Sequence, residues 1–191
     1  MPHRLLLILA ATLLLGACGF QLRGTGGSNA FALHELDVRA EDRYGELVRQ
    51  LRSMLENRGV RVHPGAPYQL ILLPEQVDQR TASLTRGARS AEYELIAVLE
   101  YQLRSRQYPL LEGRLETQKI VAQDQNNLIG SEEERQQALA EMRHDLLQQL
   151  VRQLRALDPA ELERLNAQAQ ARAKAEAEAE AKSEADQHHT P

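Results

Sequence analysis

"AEYELIAVLEYQLRSR", residues 91–106, decides the fold. Tyr93, Leu95, Ala97, Leu99, Tyr101 and Leu103 share one parity; Glu94, Ile96, Val98, Glu100 and Gln102 share the other. Successive side chains of a strand point to opposite faces, so the alternation predicts an antiparallel strand with one fully buried face. "LLEGRLETQKIVAQ", residues 110–123, alternates again beyond Pro109, and the two segments read as a hairpin. Upstream, "YQLILLPEQVDQRTASLT", residues 68–85, opens as a nearly all-apolar strand. Pro74 has no N–H to give to a ladder, so it belongs at an edge, a bulge or an end. "ALHELDVRA", residues 32–40, is a fourth, weakly alternating strand.

Two helices flank these strands. In residues 43–58, Leu47, Val48, Leu51, Met54 and Leu55 recur at the three-and-four spacing of one apolar stripe. Gly59 follows, where a helix end favours a residue that tolerates positive φ. "VRVHPGAP" then makes a short extended piece and a turn. Residues 131–157 carry a longer stripe of Leu139, Met142, Leu146, Leu150, Leu154 and Leu157, widened by Leu147 and Val151. Ser131 and Glu134 have the spacing of a capping box at its start. Strands and helices in the order β-α-β-β-β-α predict an α+β fold. It is a two-layer sandwich with two helices on one face of a mixed, mostly antiparallel four-stranded sheet. Residues 31–157 form this domain. Residues 158–191 are a low-complexity tail in which alanine alternates with charged or amide residues, and the expectation is a disordered segment or a frayed, solvated helix.

The start of the chain has a different logic. Arg4 precedes "LLLILAATLLL", residues 5–15, an uncharged run too short to span a bilayer, which takes about 20 apolar residues. A basic start, a short apolar run and the small residues Gly16 and Ala17 make residues 1–17 an export signal. Cys18 follows, the one cysteine of 191 residues. "LGAC", residues 15–18, looks like the lipobox of bacterial lipoproteins, in which the thiol takes a diacylglycerol, the chain is cut before it and the new amine is acylated. The alternative is an ordinary secretory signal followed by an unrelated cysteine. Asp directly after the cysteine would resemble the inner-membrane retention signal of Gram-negative lipoproteins; Gly19 stands there instead, and the resemblance then implies the outer membrane. Residues 18–30, with "GTGGSN" at 24–29, would be the lipid anchor and a flexible spacer.

Composition narrows the function. With Cys18 acylated no disulfide can form, and with five Tyr, two Phe and no Trp the core must be aliphatic. Eighteen bases and nineteen acids in residues 19–157 leave the body near neutral, which argues against a nucleic-acid partner. No GxSxG, HExxH or phosphate-cradling glycine loop occurs, so no catalytic residues and no cofactor are expected. His188 and His189 stand in the tail without a third ligand on a fixed scaffold, so no metal is expected either. One local feature departs from neutrality: "QRTASLTRGARSA", residues 79–91, holds Arg80, Arg86 and Arg89 and no acid. It is either a solvated hairpin turn or an anion site, since guanidinium groups bind phosphate bidentately.

"CGFQLRG", residues 18–24, and "TASLTRGARSAEYEL", residues 81–95, resemble the LptE family of lipopolysaccharide-assembly lipoproteins, and the element order matches. The resemblance covers residues 18 to about 157. It implies an outer-membrane lipoprotein that plugs and helps assemble the LptD β-barrel and contacts lipopolysaccharide on its way to the surface. Arg86 matches a family position tied to lipopolysaccharide binding, with lipid A phosphates as its partner. Gly130 stands where the family can carry a second base. Arg89 and Lys119 are the candidate replacements. The alternatives of another class are a free-standing lipid-binding lipoprotein and one that tethers a different envelope complex.

Overall fold

The computed structural model describes residues 31–84, 90–124 and 126–187. Within them lie β1 (Glu35–Ala40), α1 (Glu46–Glu56), β2 (Arg61–Val62), β3 (Tyr68–Leu72), β4 (Gln76–Leu84), β5 (Ser90–Ser105), β6 (Pro109–Asp124), α2 (Leu128–Ala156) and α3 (Pro159–Gln187). The α+β class stands, but the sheet has six strands rather than four and there are three helices rather than two. β3 and β4 lie end to end along one side of β5, and β6 pairs with the other side along nearly its whole length. β1 runs parallel to both β2 and β3, and every pairing with β5 is antiparallel.

The extra strands have simple causes. Residues 68–85 are split at Pro74, and the register against β5 slips by one residue between Leu72↔Tyr101 and Gln76↔Val98. β2 is two residues long and shows no alternation to read. α1 ends where expected: Gly59 adopts φ +84°, and the Val60 N–H donates to the Leu55 carbonyl at 3.1 Å.

The core lies between one face of the sheet and the helices. Leu95, Ala97, Leu99, Tyr101 and Leu103 of β5 are all buried on that face, as its alternation predicts. They meet Leu51 and Leu55 of α1 and Met142, Leu146 and Leu150 of α2 in one cluster. Tyr101 shows how tightly the layer is fitted. It sits opposite Gly113 of β6, where a Cβ would come within 2.4 Å of its ring, so only glycine leaves the ring its place. The Tyr101 hydroxyl then donates to Gln153 of α2, and burial pushes the phenol pKa up, keeping it a neutral donor. The other face of the sheet carries ion pairs, among them Glu35–Arg61, Arg80–Glu94 and Arg114 between Glu100 and Glu116.

The start of α2 differs from expectation. The helix begins at Leu128, capped by Asn127, whose Oδ1 accepts the Gly130 N–H at 3.1 Å. Ser131 lies inside the first turn, and its Oγ accepts the Asp124 N–H at 2.9 Å instead of closing a capping box with Glu134. Asparagine caps as well as serine does, and here it stands where β6 has just ended.

Of the two expectations for the tail, disorder is overturned and the helix holds, with its first turns packed rather than solvated: residues 159–187 form α3. Asp158 Oδ1 accepts the Glu161 N–H at 2.7 Å, and Pro159 occupies the first helical position. Leu162 enters the core, Ala169 is 8% exposed, and the Asn166 amide reaches the Tyr68 hydroxyl at 3.5 Å. Beyond Ala171 the described side chains are almost all exposed. Removing residues 172–191 is therefore expected to change unfolding free energy by less than about 0.5 kcal/mol. Removing residues 159–191 is expected to cost about 2–3 kcal/mol, mostly from Leu162. Urea titrations of the two truncations check this, and equal midpoints would contradict the docking of the first turns.

Candidate functional site

At one end of the sheet, where β4 and β6 end and β5 begins, the strand ends come beside the start of α2. Ser90 pairs with Asp124, and Ala91 with both Leu84 and Gln123. The strand ends that flank residues 85–89 therefore adjoin the β6–α2 connection. Arg86 and Arg89 lie outside the described residues, as do Cys18, His188 and His189. Among the described residues no group of three or more His, Cys, Asp or Glu could hold a metal ion.

Lys119 is not gathered at this end. It lies about 17 Å back along β6 from Asp124, at ~3.3 Å per residue. It projects from the helix-covered side of the sheet, opposite Leu95, and its ammonium is ion-paired with Glu141 of α2. Such a pair between part-exposed groups is worth about 0–1 kcal/mol. Lys119 thus serves as a tie between β6 and α2. Gly130 has a local reason as well. A Cβ at this position would come within 2.4 Å of the Asn127 amide, so a longer side chain would disturb the cap that starts α2.

The sequence reading missed the apolar component. Leu128 is 58% exposed and Ile129 78% exposed, both in the first turn of α2 beside the strand ends. A cavity of about 340 Å³ opens there, lined by Gln79, Tyr93, Val121, Leu128, Ser131 and Arg135. Arg135 is held by two hydrogen bonds to Glu132, at 3.0 and 3.1 Å, and this contact lowers the Glu132 pKa. Placing the helix start at Ser131 hid Leu128 and Ile129 in what read as a connection. Leu128 and Ile129 thus leave exposed aliphatic surface beside the strand ends that flank residues 85–89.

Solved structures show the same fold. A crystal structure of rare lipoprotein B from Shewanella oneidensis aligns with a TM-score of 0.58 at 23% identity, covering 63% of this chain and 92% of that one. A solution structure of lipoprotein B from Nitrosomonas europaea aligns with a TM-score of 0.54 at 21% identity, covering 76% and 96%. The class of protein is therefore an α+β domain of the kind found in these bacterial lipoproteins. The family follows from sequence. A family model described as LptE, lipopolysaccharide-assembly, matches residues 33–154, and the chain belongs to that family. It is similar to the LPS-assembly lipoprotein LptE of Yersinia enterocolitica, 29% identical over 174 residues, which cover 88% of this chain and 83% of the relative. Identity to the LptE of Yersinia pestis strain Pestoides F is 28% over 169 residues, or 85% and 81% of the two chains.

Proposed function

We propose that this protein acts in lipopolysaccharide assembly at the outer membrane, held there by acyl chains on Cys18, as a plug and assembly partner of the LptD β-barrel. The observation that carries this reading is the family match across residues 33–154, from the residues leading into β1 almost to the end of α2. The polar face of the sheet supports it. A plug inside a water-filled barrel must present hydrated, charge-paired surface, and the face away from the helices does so. The action is one of binding and positioning rather than catalysis.

In this reading lipopolysaccharide meets the end of the sheet described above. Its phosphates face Arg86 and Arg89, and its acyl region faces Leu128 and Ile129. Arg86→Asp with Arg89→Asp is expected to weaken lipopolysaccharide binding by about tenfold or more, since each charge-assisted hydrogen bond is worth about 1.5–3 kcal/mol. A pull-down with labelled lipopolysaccharide reads the effect, and unchanged binding would remove the site. Extraction of the native protein in mild detergent tests the wider proposal. Recovery with a large outer-membrane barrel supports it; recovery as a monomer carrying phospholipid favours a free-standing lipid-binding role.

A further inference from the structure

At the far end of the sheet, β1, the loop after it, α1 and the residues after β2 enclose a cavity of about 300 Å³. Arg39, Arg43, Tyr44, Arg52 and His63 line it, with Asp37 as the one acid among the lining residues. That volume is at the lower limit for small-molecule sites, about 300–1,000 Å³. Asp37 is already committed. Its Oδ2 accepts Nε and Nη2 of Arg39 at 3.0 and 2.9 Å and the Gly65 N–H at 3.3 Å. His63 contacts Glu35 at 3.3 Å and the Pro64 carbonyl at 3.1 Å, and Glu35 also holds Arg61. Glu41 and Asp42, the acids nearest in sequence to Arg43, line a different cavity on the other side of the loop. The side chains of Arg43 and Arg52 are left with no hydrogen bond or ion pair among the described residues.

The geometry points to a phosphate-binding site here, formed by the guanidinium groups of Arg43 and Arg52, which line the same cavity. The body of the chain is near neutral, so two unpaired arginines facing one concavity reflect placement rather than a basic composition. A guanidinium offers a planar fork that matches phosphate oxygens, and two of them can neutralise a dianion. Arg39, fixed by Asp37, adds a third positive group whose position is set by a buried partner. The ligand class is a phosphomonoester or inorganic phosphate, free in solution or as a lipid headgroup.

This site is separate from the arginine-bearing segment of the proposed function and does not depend on it. Asp37 is level with Gln69 and, across β3, with Arg104 of β5, and at ~3.3 Å per residue about 45 Å of strand lies between Arg104 and Ser90.

The experiment uses the full chain in zwitterionic detergent and follows the arginine Nε–H resonances. Sodium phosphate is added at constant ionic strength against sodium chloride, and in parallel the micelles are doped with phosphatidic acid. A saturable response of Arg43 and Arg52 to phosphate supports a soluble ligand. A response confined to phosphatidic acid supports a headgroup. Arg43→Gln with Arg52→Gln is expected to weaken either response by about tenfold or more. Arg43→Lys with Arg52→Lys keeps the charge without the fork and should retain part of it. Both arginines are exposed, so melting temperatures should not move. If the Gln pair fails to fold, the Lys pair carries the comparison. No saturable response to either probe, an equal response to chloride, or an undiminished response in the Gln or Lys pair would overturn the site.

Discussion

Leu99→Ala is expected to lower the free energy of unfolding by about 3–5 kcal/mol, the upper part of the range for emptying a leucine site in a packed core. Leu99 has no exposed surface and sits in the middle of β5, with β3 and β4 on one side of that strand and β6 on the other. Its partner across the hairpin, Leu115, is 3% exposed, and both belong to the cluster that α1 and α2 cover. Neighbours drawn from two layers leave little freedom to collapse into the space, so the cavity term adds to the lost transfer energy. The same truncation at Val77, 42% exposed on β4, should cost less than about 1 kcal/mol. Urea unfolding of both variants reads the contrast, provided the slope with denaturant stays constant. For a domain whose total stability is about 5–15 kcal/mol, that loss is at least about a fifth of the whole. A loss under 1 kcal/mol would mean that β5 is not the centre of the core.

The centre of the fold was legible in the sequence because β5 is buried on one face along most of its length, and burial of that kind imposes a period of two that needs no knowledge of its neighbours. Pro74 carried a signal for the break, the missing N–H, but an edge, a bulge or an end would have met it equally, so residues 68–85 read as one strand. What the sequence left open depended on choices between near-equal local options. Asn127 and Ser131 can each start a helix, and the outcome turned on where β6 stops. Asp158, Pro159 and Glu161 were a start signal for α3, masked by the alanine-rich stretch that follows. Leu162 gives that helix the buried contact that composition alone did not reveal.

The candidate site divides along the same line. Arg86 and Arg89 stand out in one dimension because a run of residues lacks acids. The engagement of Lys119 by Glu141 was invisible, since it depends on which face of β6 meets which turn of α2. The cavity around Arg43 and Arg52 was hidden for that reason too: its walls come from β1, α1 and the residues after β2, and nothing in their separate sequences signals that they meet.

Cys18→Ser is expected to remove the protein from the outer membrane altogether. In the proposed function attachment to the bilayer falls to the acylated terminus; no described helix is long and apolar enough to cross a membrane. Each buried methylene contributes about 0.8 kcal/mol, and one acyl chain gives only marginal, reversible binding, whereas two or more hold a protein stably. A serine hydroxyl in place of the thiol leaves the lipid transfer without its sulfur nucleophile, and cleavage before residue 18 would not follow. The unprocessed chain would keep the apolar run at residues 5–15, which is too short to span. Separation of the two membranes should then find the variant in the inner-membrane or soluble fraction, with the mass of an uncut chain. The native protein should carry the mass of residues 18–191 plus its acyl groups. A variant still recovered with the outer membrane in native amounts would show that the barrel, rather than the lipid, holds the protein in place. The plug would then be anchored by its protein contacts alone.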